Sequence, residues 1–137
     1  MKAPEIVITL GIVFDIKYSF YEIREKVTHL RKSELFNFEF KKMTPRVKDL
    51  EEYYKLYIYF KGGWFEIYDL DEVLDILLND VDITNIGKLS KEYNADSILH
   101  VTLSANKESY PSFTVSSSQL KLLSELNNLS FDVEISK

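Results

Sequence analysis

Ala95–Lys137 reads ADSILHVTLSANKESYPSFTVSSSQLKLLSELNNLSFDVEISK, and its patterning decides the fold class. In Ser97–Ser104, Leu99, Val101 and Leu103 alternate with His100, Thr102 and Ser104, the period-2 signature of a pleated strand. Asn106 to Ser109 supply turn chemistry. Pro111 then opens a second predicted strand, in which Phe113 and Val115 alternate with Ser112 and Thr114. Ser116 with Gln119 has the spacing of a capping box, where each side chain bonds an otherwise orphan backbone N–H. Leu120, Leu122, Leu123 and Leu126 cover one broad face of the helix that follows, and Asn127-Asn128 closes it. Leu129, Phe131, Val133 and Ile135 alternate with Ser130, Asp132, Glu134 and Ser136, as in a strand with one face buried and one in water.

The rest of the chain fits around this unit. Ile6–Phe14 is apolar on both faces and reads as a central strand, with Gly11 inside it marking tight packing in preference to a bulge or a close backbone approach. Ser19 with Glu22 opens a helix whose Phe20, Ile23, Val27 and Leu30 form one stripe. Phe36, Phe38 and Phe40 alternate with polar residues as a half-buried strand, broken at Met43-Thr44-Pro45, and Arg46–Glu52 is a polar connection. Tyr53–Tyr68 is the densest aromatic run, and Lys61-Gly62-Gly63 within it predicts a hairpin turn. Asp69 is placed to cap a helix with Leu70, Val73, Leu74, Leu77 and Leu78 toward the core. A second short helix spans Thr84–Tyr93, stopped by Asn94. The predicted order is β-α-β-β-β-α-α-β-β-α-β in a single globular domain, residues 1–137. This is an α+β fold, with a mostly antiparallel sheet of about seven strands and helices largely on one face. A strand-helix-strand unit at each end hints at two related halves sharing the sheet, without a residue-level repeat.

The string YPSFTVSSSQLKLLSELNNLSFDVEI resembles the C-terminal end of a bacterial family known as a domain of unknown function, number 4279. Pro111, Ser116, Leu123, Leu126-Asn127 and Asp132 match its pattern, and Gly63-Trp64 followed by the Asp69–Leu78 helix resembles its middle. The likeness spans roughly Trp64 to Ile135 and departs from the family at Leu30–Ser33, Glu134 and Ser136. It implies a fold type and a bacterial setting, and no activity.

Bulk composition narrows the function classes. The 137 residues are 45% hydrophobic and 28% charged, enough for one sizeable core and against disorder. The net charge of −5 favours a cationic partner over nucleic acid, whose binders carry a basic face. With no cysteine, a disulfide scaffold, a thiolate metal site and a Cys nucleophile are excluded. Pro4-Glu5, the alternation and the lack of a small-residue cleavage site argue against a signal peptide. No run approaches the ~18 apolar residues of a membrane span, so no membrane partner and a cytoplasmic location are expected.

Chemistry-bearing constellations are sparse. His29 falls on a wet helix face and His100 on the less apolar side of a strand. Neither has a sequence-visible partner for acid–base work, and no spaced His pair suits zinc. Ser116–Ser118 lacks the glycines of a nucleophile elbow, and Gly62-Gly63 lacks the Walker spacing. Asp80-Val81-Asp82 lacks the Gly and closing Glu of a calcium loop. No catalytic residue, metal ligand or cofactor is therefore expected.

Two surfaces stand out as partner candidates. Tyr57 and Tyr59 lie on the strand side opposite Tyr54, Leu56, Ile58 and Phe60, and tyrosine is enriched at interfaces. Between Lys61 and Lys88 there is no basic residue but seven acids: Glu66, Asp69, Asp71, Glu72, Asp75, Asp80 and Asp82. The predicted partner-binding set is Glu66, Asp69, Asp71, Glu72, Asp75, Tyr57, Tyr59 and Trp64. The expected function is a non-catalytic protein-binding module of immunity type, neutralising a basic bacterial toxin domain. The alternative is a small enzyme or ligand-sensing domain using carboxylates and tyrosines in a cleft.

Overall fold

Glu5–Asp15 (β1) runs down the middle of the sheet because both of its edges are paired. The computed structural model describes residues 5–45, 51–66, 69–104 and 114–136. Around β1 it places α1 (Phe20–Leu30), β2 (Phe36–Met43), β3 (Tyr53–Phe60), β4 (Phe65–Glu66), α2 (Leu70–Asp80) and α3 (Ile83–Glu92). The chain closes with β5 (Asp96–Ser104), α4 (Ser117–Leu123) and β6 (Leu129–Ser136). The strand order is β2-β3-β1-β5-β6, with β4 also on β1. Every pairing is antiparallel except β5 with β6, so the sheet is mixed and the fold is α+β as predicted.

Alternation sorts the two faces. Ile6, Ile8, Leu10, Ile12 and Phe14 of β1 are buried with Leu56 and Ile58 of β3 and Leu99 and Val101 of β5. Against them pack Ile23 and Val27 of α1, Leu70, Val73, Leu74 and Leu77 of α2, and Ile86 and Leu89 of α3, in one cluster. Phe20 stacks on Phe40 at 4.8 Å and meets Tyr54 edge-on at 5.2 Å, so aromatic rings seal the β2–β3 side beneath α1. The other face of the sheet carries Val7, Thr9 and Val13, which are only half-buried. Gly87 of α3 lets the helix approach the turn after α4: a Cβ there would stand 2.5 Å from the backbone oxygen of Glu125.

Four sequence expectations need correction. Gly62-Gly63 turns the chain, with Gly63 at φ +88° and its N–H donating to the Phe60 carbonyl at 3.1 Å, but it makes no hairpin. β3 and β4 both run antiparallel to β1, with Tyr59 opposite Thr9 and Phe65 opposite Ile6. The loop is therefore an extrusion from one interrupted strand, closed by Phe60 stacking on Phe65 at 3.9 Å. The strand predicted from Pro111 to Val115 is not formed at Thr114 and Val115, and residues 105–113 lie outside the described residues, among which there are six strands. So do residues 46–50 of the polar connection. α4 ends at Leu123 rather than Leu126; Leu123 and Leu126 are buried, but Leu120 is 55% exposed. The positive φ expected near the helix end falls on Asn128, beyond the turn. Finally, the two strand-helix-strand units are not alike. β5 and β6 are neighbours, whereas β3 lies between β1 and β2.

β6 is an edge strand, and that changes what its alternation means. Phe131 and Ile135 share the core-side face with Leu99 and Leu103, as the parallel register requires. Yet Phe131 is 38% exposed and Ile135 is 69% exposed, because the helices do not cover the sheet's rim. A charge at Phe131 thus meets partial solvent instead of a sealed core. Leu99→Ala should cost about 2–5 kcal/mol in urea unfolding, the range of a buried leucine truncation, while Ile135→Ala should stay within about 0.5 kcal/mol. Equal losses at the two positions would show that β6 is packed more deeply than described.

Candidate functional site

The eight predicted residues fall on two sides of the sheet. Tyr57 and Tyr59 project from β3 on the face away from the helices, as the alternation requires. Tyr57 lies between two cations, with Lys55 Nζ 4.3 Å and Lys41 Nζ 5.1 Å from its ring centroid. Tyr59 donates its hydroxyl proton to Glu39 at 2.8 Å, and that hydrogen bond, helped by burial, holds its pKa above the ordinary value. Glu66 follows the buried Phe65 on β4 and points to the same open side. Trp64 stands at the end of the extruded loop, 51% exposed. Asp69, Asp71, Glu72 and Asp75 belong to the first turns of α2, in the helical layer behind the sheet.

Structure also divides the seven acids by occupation. Gln119 is 3% exposed and completes its capping box with Ser116, its N–H donating to Ser116 Oγ at 3.2 Å and its Oε1 accepting from the Ser116 N–H at 2.9 Å. Its amide group then donates to the Asp71 carbonyl at 2.9 Å and to Asp75 Oδ1 at 2.8 Å. Asp75, although exposed, thereby also acts as an acceptor that ties α2 to α4. Asp82 caps α3 by accepting from the Asn85 N–H at 3.2 Å. Asp80 accepts from the Ser33 hydroxyl and from the Leu35 N–H at 3.0 Å, clamping the end of α2 to the start of β2. Burial pushes the Asp80 carboxyl up, but the Ser33 hydroxyl, the backbone N–H groups of Leu35 and Glu34, and the Lys61 charge outweigh it and hold the pKa below the ordinary carboxylate value. Asp69 occupies the N-cap position of α2 without a side-chain cap bond. Among the described residues, Glu66, Asp69, Asp71 and Glu72 make no ion pair.

A further group was invisible without the strand order. β5 and β6 lie side by side in register, so His100 sits opposite Asp132, its Nδ1 3.3 Å from Asp132 Oδ2. Its Nε2 is 3.3 Å from Thr102 Oγ1 and 3.5 Å from Glu134 Oε2. A hydroxyl, an imidazole and a carboxylate in a row resemble the parts of an acyl-transfer site. The setting does not complete one: β5 is a central strand, paired with β1 on one edge and β6 on the other. Its backbone N–H groups are held in the ladder, and the described residues place no oxyanion donors beside Thr102. Among the described residues, no group of three or more His, Asp or Glu is placed to hold a metal ion. No helix among them is long and apolar enough to cross a membrane. A cavity of about 200 Å³ beside β2 is lined by Arg31, Ser33, Asn37 and Lys61, and one of about 450 Å³ by residues 78–84 with Lys32 and Leu122. Neither gathers the tyrosines with the acids of α2.

These contacts yield two expected outcomes. Asp75→Lys should lose about 1–3 kcal/mol of stability, since it leaves a buried amide donor of Gln119 without its acceptor. Urea unfolding measures it, and a wild-type midpoint would show that Gln119 finds another partner. Asp80 is more acidic folded than unfolded, so its contribution is present above pH about 4 and is lost as pH falls through the depressed folded value. Asp80→Asn should therefore destabilise the protein at pH 7 and flatten its melting temperature against pH below 4. A variant with the wild-type acid profile would remove Asp80 from that linkage.

No family model, curated protein or solved structure matches the chain.

Proposed function

We propose that the chain is a non-catalytic protein-binding module of immunity type, which neutralises a basic bacterial toxin domain by docking it on an acidic surface. The observation that carries this reading is a half-exposed indole followed closely by carboxylates with no ion pair among the described residues: Trp64, Asp69, Asp71 and Glu72. Aromatic anchors carry most of an interface's energy, while like-signed charge around them steers an oppositely charged partner and speeds encounter. The absence of any Lys or Arg between Lys61 and Lys88 keeps that field unopposed along the chain. Tyr57 and Tyr59 lie on the open sheet face and α2 in the helical layer, so tyrosines and acids are not gathered into a cleft, which favours docking over an enzyme or small-ligand sensor. The bacterial setting rests on the likeness of Trp64–Ile135 to the family of unknown function. A cytoplasmic location, and no nucleic-acid or membrane partner, belong to the same reading.

The test takes the product of the gene directly upstream; if it is toxin-like, its toxin domain is prepared in a catalytically inert form, and if it is not, the immunity reading is overturned. Association and dissociation are measured at low and high salt for wild type, Asp71→Lys with Glu72→Lys, and Trp64→Ala, with circular dichroism confirming the fold. The double reversal should slow association and flatten its salt dependence. Trp64→Ala should accelerate dissociation and cost about 2 kcal/mol of binding. A reversal that binds as fast and as tightly as wild type overturns the acidic docking surface. A neighbouring product that does not bind overturns the immunity reading.

A further inference from the structure

We propose that the cavity at the start of β2 binds a phosphoryl group, presented as inorganic phosphate or as a small phosphomonoester. The cavity has a volume of about 200 Å³ and is lined by Arg31, Ser33, Phe36, Asn37, Phe38 and Lys61. Two elements bring cations to it: Arg31 directly follows α1 and Lys61 directly follows β3. Both side chains are exposed, and neither makes an ion pair among the described residues. Acids outnumber cations in this chain by 22 to 17, so surface cations have carboxylates to choose from. Two that meet at one cavity without an ion pair leave room there for an anion from outside.

The ladder adds a neutral donor. β2 is an edge strand, paired with β3 alone. The Lys61 N–H donates to the carbonyl of Leu35, just before β2, at 2.8 Å, which sets the parity of the pairing. Leu35, Asn37 and Glu39 therefore bond toward β3, while Phe36 and Phe38 turn their N–H groups outward. Ser33 Oγ accepts the Phe36 N–H at 2.9 Å, as that parity requires. No acceptor takes the Phe38 N–H among the described residues, and Phe38 lines the cavity.

A guanidinium, an ammonium and a backbone N–H thus reach one cavity from three parts of the chain. A phosphoryl group presents its terminal oxygens on different sides, whereas the two of a carboxylate share one plane. The Arg31 fork takes two oxygens side by side, Lys61 supplies a point charge and the Phe38 N–H a directed bond. Asp80 is the opposing charge nearby. It is already held by the Ser33 hydroxyl and the Leu35 N–H, and the Lys61 charge acts on it. Two cations against that one carboxylate still leave the cavity positive. At about 30 Å³ of liquid volume per water, the cavity of about 200 Å³ accommodates a phosphoryl group with several waters or a short ester arm.

The experiment follows the backbone amide signals of the full chain by nuclear magnetic resonance during titration with sodium phosphate, with sodium chloride holding the ionic strength constant. Amides from Ser33 to Phe38 should shift along one saturating curve, that of Phe38 the furthest. Arg31→Gln and Lys61→Gln should each weaken binding by roughly ten-fold or more, the worth of one charged hydrogen bond. Lys91→Gln, on α3 and outside the cavity lining, should leave the affinity unchanged. The same spectra confirm that each variant folds. Glycerol phosphate distinguishes the two sources: binding tighter than phosphate assigns the site to a phosphomonoester, and equal or weaker binding assigns it to the free ion. Sodium acetate should bind about ten-fold more weakly than phosphate, having fewer oxygens to offer. Shifts that do not saturate or that spread over the whole surface overturn the proposal. So do undiminished binding by Arg31→Gln and Lys61→Gln, an equal loss in Lys91→Gln, or acetate binding as tightly as phosphate.

Discussion

The pairing of β1 on both edges is the constraint on which the rest of the structure depends. Its backbone is shared among β3, β4 and β5, so the strand cannot shift register without breaking three pairings at once. That lock places Ile6, Ile8, Leu10, Ile12 and Phe14 under the helices and sends Val7, Thr9 and Val13 to the opposite side. The two faces then acquire different tasks. One is a dry aliphatic layer that stabilises by area removed from water. The other is a patterned surface of aromatic rings and charges whose rows are set by the same register.

A second tier of order comes from polar groups that join elements distant in sequence. Gln119 links α4 to α2, and Asp80 links the end of α2 to the start of β2. Tyr93 donates to Glu22 at 2.8 Å and so links α3 to α1. Each is a side chain satisfied across an interface between layers that hydrophobic contact alone would leave free to slide. Helix placement over the sheet is thus specified by a few hydrogen bonds, while most of the stabilisation comes from the leucines and isoleucines beneath them.

Much of this was legible in the residues. Alternation placed the faces of β2, β3, β5 and β6 correctly, and the Ser116–Gln119 spacing marked a capping box that forms in full. Local pattern could not reveal whether a face has anything lying on it, which is why Phe131 read as buried although it sits at the rim. It could not separate a hairpin from an extrusion either, because Lys61-Gly62-Gly63 makes the same tight turn in both; only the partner of Phe65 distinguishes them. The contacts of His100 were hidden for a related reason. Asp132 becomes its neighbour through strand order, which carries no signature in either segment. The tie from Asp75 to Gln119 was hidden as well, because its partner lies 44 residues away.

The long reach of the β1–β5 pairing has a consequence for how the protein is made. Glu5 meets Ser104 and Val13 meets Asp96, so one edge of the central strand waits for residues roughly eighty to a hundred positions downstream. On the ribosome, β1 emerges first and gains β3 early, yet its other edge, flanked by isoleucines, stays unpaired until most of the chain has been synthesised. Such late, sequence-distant closure slows folding relative to local pairing and exposes a strand edge to neighbouring nascent chains. Translation rate and chaperone access between residues 15 and 104 therefore bear on yield.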